Sequence, residues 1–119
     1  MPEKRALIVR IGRATIRAVD EPAVNRALRT ALGNRSRPHD MLDVVFARHP
    51  TGDLVEVIVI TLWTRLEALE EEFGPTWRSF GTIAGLDGVT LSTSVEHLTV
   101  FADEWPEFLE YLGRTSRLS

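Results

Sequence analysis

Leu54-Val55-Glu56-Val57-Ile58-Val59-Ile60-Thr61-Leu62-Trp63 decides the fold. The run is rich in β-branched residues and apolar at both parities, so it reads as a strand buried on both faces. Thr64-Arg65-Leu66-Glu67 follows at once and has the form of a capping box, Thr64 at the N-cap and Glu67 three residues on. Leu66, Leu69 and Phe73 mark the buried side of the helix it opens, and Gly74-Pro75 its end. Glu67, Glu70, Glu71 and Glu72 form the solvated side. Neighbouring carboxylates point around a helix axis and do not converge on a metal.

Working back, Pro50-Thr51-Gly52-Asp53 is a turn, so Met41 to His49 forms an antiparallel hairpin with the decisive strand. Arg35 to Asp40 is a polar loop. Before it, Asp20-Glu21-Pro22 starts a helix with Val24, Ala27, Leu28, Ala31 and Leu32 on one apolar face and Gly33-Asn34 as its stop. Ala6 to about Arg17 is a first strand, with Leu7, Val9 and Ile11 on one parity and Ile8, Arg10, Ala14 and Ile16 on the other. Gly12 within it predicts a bulge or a close backbone approach. Arg10, Arg13 and Arg17 can edge an anion-holding pocket or serve as solvated rim charges, the plainer reading.

Working forward, Thr76 to Thr93 is a glycine-punctuated segment carrying Trp77 and Phe80, either a lid over a cavity or a bridging loop whose aromatics fill the core. Ser94 to Ala102 is the fourth strand, with His97 on the parity of Val95 and Thr99. Asp103 opens a last helix, about 103–113, carrying Trp105, Phe108, Leu109 and Leu112 and closed by Gly113. The order strand, helix, strand, strand, helix, strand is the ferredoxin-like α+β arrangement, one four-stranded antiparallel sheet in a single domain over 1–119, with a core about 6–102. Its open face, apolar along the third strand, predicts a homodimer of barrel form; the last helix is the alternative cover.

The totals limit function. Fourteen Lys and Arg against seventeen Asp and Glu give a net charge of −3, against a nucleic-acid partner and against a cationic membrane-surface helix. With no cysteine there is no thiolate chemistry and no Cys-ligated metal. The sequence shows neither a signal peptide nor an apolar run of membrane-spanning length, and the expected location is cytoplasmic.

Val55 to Trp63, continued by Thr64 and Leu66-Glu67-Ala68-Leu69, resembles the third strand and second helix of the antibiotic biosynthesis monooxygenase family. Val95-Glu96-His97 is similar to the fourth strand of a group of bacterial members, and Arg10-Ile11-Gly12-Arg13 to their first strand, from which Gly12 departs. The resemblance implies a dimeric α+β barrel with a pocket between sheet and helices. In some relatives it also implies a monooxygenase needing no cofactor, metal or flavin, acting on an aromatic or quinol-type small molecule. Trp63, Phe73, Trp77, Phe80 and Arg10 are then the ligand-pocket candidates and His97 the catalytic base, because imidazole titrates near neutrality. The plain alternatives are a core histidine with an internal hydrogen bond and a Trp63 that only packs. Related haem-degrading proteins carry a histidine in or after the second helix; none lies between Pro50 and Glu96 here, which argues against haem degradation. Two functions follow: a cofactor-independent monooxygenase, or a non-catalytic binding or structural homodimer of the same fold.

Overall fold

The computed structural model describes residues 5–33, 40–79 and 88–116, with side chains 31–33 and 111–116 left aside. Four strands, β1 (Ala6–Arg17), β2 (Met41–Thr51), β3 (Leu54–Trp63) and β4 (Ser92–Phe101), form one antiparallel sheet in the order β2-β3-β1-β4. The α-helices among the described residues are α1 (Glu21–Gly33), α2 (Leu66–Phe73) and α3 (Trp105–Ser116), and short 3-10 turns adjoin them. This is the ferredoxin-like α+β fold the element order predicts: each helix crossover skips one strand position, and the neighbour that fills it runs antiparallel.

Both faces of β3 are covered. Val55, Val57 and Val59 are buried with Ala14, Ile16 and the α1 residues Val24 and Leu28. Further along the same face, Trp63 packs with Met41 and the α2 residues Ala68 and Leu69. On the opposite face, Ile60 and Leu62 join Leu7, Val9 and Ile11 beneath Trp105, with Phe108 and Leu109 alongside. The last helix is thus the cover of the second face within the chain, and a partner subunit is not needed to bury Ile60 and Leu62. The Trp105 indole N–H fixes it by donating to Asp43 on β2 at 3.1 Å.

Four local expectations are corrected. Of the two expectations at Gly12, a bulge or a close backbone approach, the bulge does not form: β1 keeps continuous register with β3 and β4 through it, and the shift lies at Met41/Asp43. The β2–β3 turn is tighter than Pro50 to Asp53, because β2 runs to Thr51 and pairs Thr51 with Leu54. Gly52, at φ 62°, is the residue that closes so short a loop at little steric cost, and Pro50 sits in an edge strand where its missing N–H is tolerated. The capping box at α2 does not form. Arg65 is the N-cap and no side chain caps it, while the Thr64 hydroxyl hydrogen-bonds the Asp40 carboxylate and its N–H donates to the Asp40 carbonyl. A charged acceptor across the loop outcompetes the helix's own amide. At the end of the chain α3 continues past Gly113 to Ser116.

Candidate functional site

Adjacent strands of an antiparallel sheet bring directly opposed residues onto one face, where their side chains touch. Arg10 on β1 lies opposite Thr61 on β3 and His97 on β4. These three polar residues form a row across the face that carries α2. The surroundings are aromatic. Trp63, two residues from Thr61, is fully buried and donates its indole N–H to the Thr61 hydroxyl oxygen at 2.8 Å. Phe73, at the end of α2, meets the Trp63 ring edge-on at 5.9 Å and lies 4.2 Å beneath the Arg10 guanidinium. Trp77 meets His97 edge-on at 4.9 Å, and Arg78 sits over the Trp77 ring at 4.8 Å.

Arg10 is 5% exposed. Its Nη2 donates to the Ser79 carbonyl at 2.9 Å, and its Nε is buried with no hydrogen-bond partner. Among the described residues no carboxylate lies at ion-pair distance from it. Burial lowers its pKa, although a guanidinium keeps its charge at any physiological pH. The rim-charge reading therefore fails for Arg10: its even parity in β1 turns it inward with Ile8, Ala14 and Ile16. It holds for the others, since Arg17 is exposed and the half-exposed Arg13 lies 3.7 Å from Glu96.

His97 is half-buried, and its Nε2 is enclosed without a hydrogen-bond partner. Burial, then the charges of Arg10 and Arg78, hold its pKa below the ordinary histidine value. Near neutral pH it is a neutral imidazole, the form that can accept a proton. An internal hydrogen bond of the kind a core histidine makes is absent at Nε2 among the described residues.

The structure thus brings together Arg10, Trp63, Phe73, Trp77 and His97, while Phe80 lies outside the described residues. Thr61, Ser79 and Arg78 were missed in the sequence reading. Thr61 carried a usable signal, as the polar break in the inward parity Val55, Val57, Val59, Thr61, Trp63. The Ser79 role lies in its backbone carbonyl and leaves no mark in the sequence. Among the described residues no three His, Cys, Asp or Glu side chains gather as a metal site, and no helix is long and apolar enough to cross a membrane.

No protein-family model matches the chain, and no curated protein matches it. Among solved structures it is similar to a Bacillus cereus protein provisionally named an antibiotic biosynthesis monooxygenase. The two share 14% identity over 81% of this chain and 92% of the other, with a TM-score of 0.47. The ferredoxin-like assignment rests on this chain's own strand order and register.

Proposed function

We propose that the protein is a cofactor-independent monooxygenase-like enzyme for an aromatic or quinol-type small molecule, with His97 as its base. One observation carries this reading: a neutral imidazole nitrogen, buried beside Trp77 and free of any internal hydrogen bond. In the reaction, Nε2 takes a proton from an activated ring CH2, and the resulting carbanion gives its electrons to dioxygen. Reprotonation forms a C–OOH group, and loss of water leaves a carbonyl. One oxygen atom ends in the product and one in water, so no external reductant enters. Trp63, Phe73 and Trp77 supply flat apolar walls that hold a ring and exclude water.

Oxygen uptake on anthrone, a three-ring substrate of this type, tests the reading. His97→Gln is expected to lower turnover by about 100-fold or more with the fold intact. Uptake that is absent in the wild type, or unchanged in the variant, overturns it. The same aromatic walls favour a second reading, a binding protein without turnover, which predicts saturable anthrone binding and no oxygen uptake.

The proposal includes a homodimer and a cytoplasmic location. Val45, Ile58 and Leu98 on the α3-bearing face are only partly buried, which supports a further contact there. Light scattering at micromolar concentration is expected to give twice the 13.4 kDa chain mass, and a monomer mass excludes the dimer.

A further inference from the structure

A buried charge is stable only when something answers it. For the Arg10 guanidinium, the described residues provide one carbonyl, from Ser79, and one ring, from Phe73. Glu21–Arg48 and Arg65–Asp40 show that this chain pairs other arginines with carboxylates, and those pairs stand at the surface. Arg10, far less exposed than either of these arginines, has no carboxylate partner among the described residues. Arg10 cannot escape by releasing its proton, so its charge must be met from outside the described residues.

We propose that Arg10 anchors the carboxylate of an aromatic acid, making the ligand of this site a ring-bearing monoanion. The charge count fits, because one buried guanidinium is neutralised by one negative charge, whereas a phosphate dianion would leave excess charge against apolar walls. The geometry fits as well. The edge of a guanidinium offers parallel N–H donors that match the two oxygens of a carboxylate, and Nε is the donor without a partner. The attached ring then lies among Phe73, Trp77 and Trp63. His97, opposite Arg10 in register, stands on the β4 side of the anchored group, where a proton acceptor can reach a neighbouring ring position. This deepens the reading of the same site and rests on it only for the presence of a small-molecule ligand.

Thermal unfolding in benzoate or 1-naphthoate, with benzamide and 1-naphthamide as uncharged controls at matched ionic strength, tests the inference. The acids are expected to raise the wild-type midpoint by about 4 °C or more near saturation, and the amides, which offer the ring without the charge, to raise it by less than half as much. In Arg10→Met, which keeps the chain length and the contact with Phe73, the acids are expected to have no effect. The ligand-free midpoint of that variant should equal or exceed the wild type, since an unanswered buried charge has been removed. Three results each overturn the proposal: amides at least half as effective as acids, acids that shift neither protein or both equally, or a ligand-free Arg10→Met midpoint more than about 5 °C below the wild type. Oxygen uptake plays no part here, so a protein that binds acids without turnover leaves the inference standing and removes only the enzymatic reading.

Discussion

Arg10 and His97 face each other across the β1–β4 pairing, and each carries a buried nitrogen without a hydrogen-bond partner. Two orphaned polar atoms side by side on the inner face of a sheet contrast with the full satisfaction that buried groups ordinarily reach. Their proximity also couples them: the Arg10 charge helps keep His97 neutral.

That coupling predicts the pH dependence of turnover. The acid limb of kcat/KM is expected below the ordinary histidine value of about 6.5, because burial, Arg10 and Arg78 all disfavour the imidazolium. In Arg10→Met one of those charges is gone, and the limb is expected to move toward higher pH. A limb that stays fixed in this variant would show that the titrating group is not His97.

Stability should carry the same signature. His97 has a lower pKa folded than unfolded, so the unfolded chain binds more protons in the window between the two values. The contribution of His97 is therefore fully present above about pH 6.5 and declines as pH falls toward the folded pKa. Urea midpoints measured from pH 7.5 to 5 are expected to fall in the wild type and to fall less in His97→Gln. Equal slopes for the two proteins would refute the assignment.

Trp63 is the largest fully buried side chain of the sheet and links Thr61 to Phe73. Trp63→Ala is expected to cost about 3–5 kcal/mol by urea unfolding, through lost burial and a residual cavity. Trp63→Phe keeps much of the ring but removes the donor to Thr61, and a cost of about 1–2 kcal/mol is expected.

The α3 cover can be weakened at one atom. Asp43→Ala removes the acceptor of the Trp105 indole and of the Val44 amide, at an expected cost of about 1–2 kcal/mol. Trp105→Ala uncovers Leu7, Val9, Ile60 and Leu62 and should cost more, about 3–5 kcal/mol. If both variants match the wild type in urea, α3 does not hold this face in solution.

The fold was legible because its signals are periodic. Alternation in β1 and β4, two-sided burial in β3 and the stripe of α1 each follow from which face a residue must hide. Thr64 and Gly12 misled for a different reason. A capping motif and a bulge glycine are local rules, and the Asp40 carboxylate and the unbroken register of β1 are supplied by distant parts of the chain. The site was half legible. Parity put Arg10 with Ile8 and Ile16 and His97 with Val95, yet the rim-charge reading of Arg10 was the plainer one, and only the strand order β3-β1-β4 sets Arg10 and His97 opposite each other with Thr61 completing the row. For the face of Ile60 the sequence pointed first to a second subunit and only second to the last helix, since an apolar face does not name its cover; α3 covers it.

The place of β1 in the sheet has a consequence for how the chain assembles. It precedes the other three strands in the sequence and is a central one, and its pairs run from Arg17 with Leu54 to Ala6 with Phe101. During synthesis the β2–β3 hairpin can close early and capture one edge of β1, yet the other edge waits for β4. Through that interval a row of unbonded N–H and C=O groups, flanked by Val9 and Ile11, is open to pairing with another nascent copy. The long-range closure by β4 therefore sets both the pace of folding and the window in which the protein is vulnerable to aggregation.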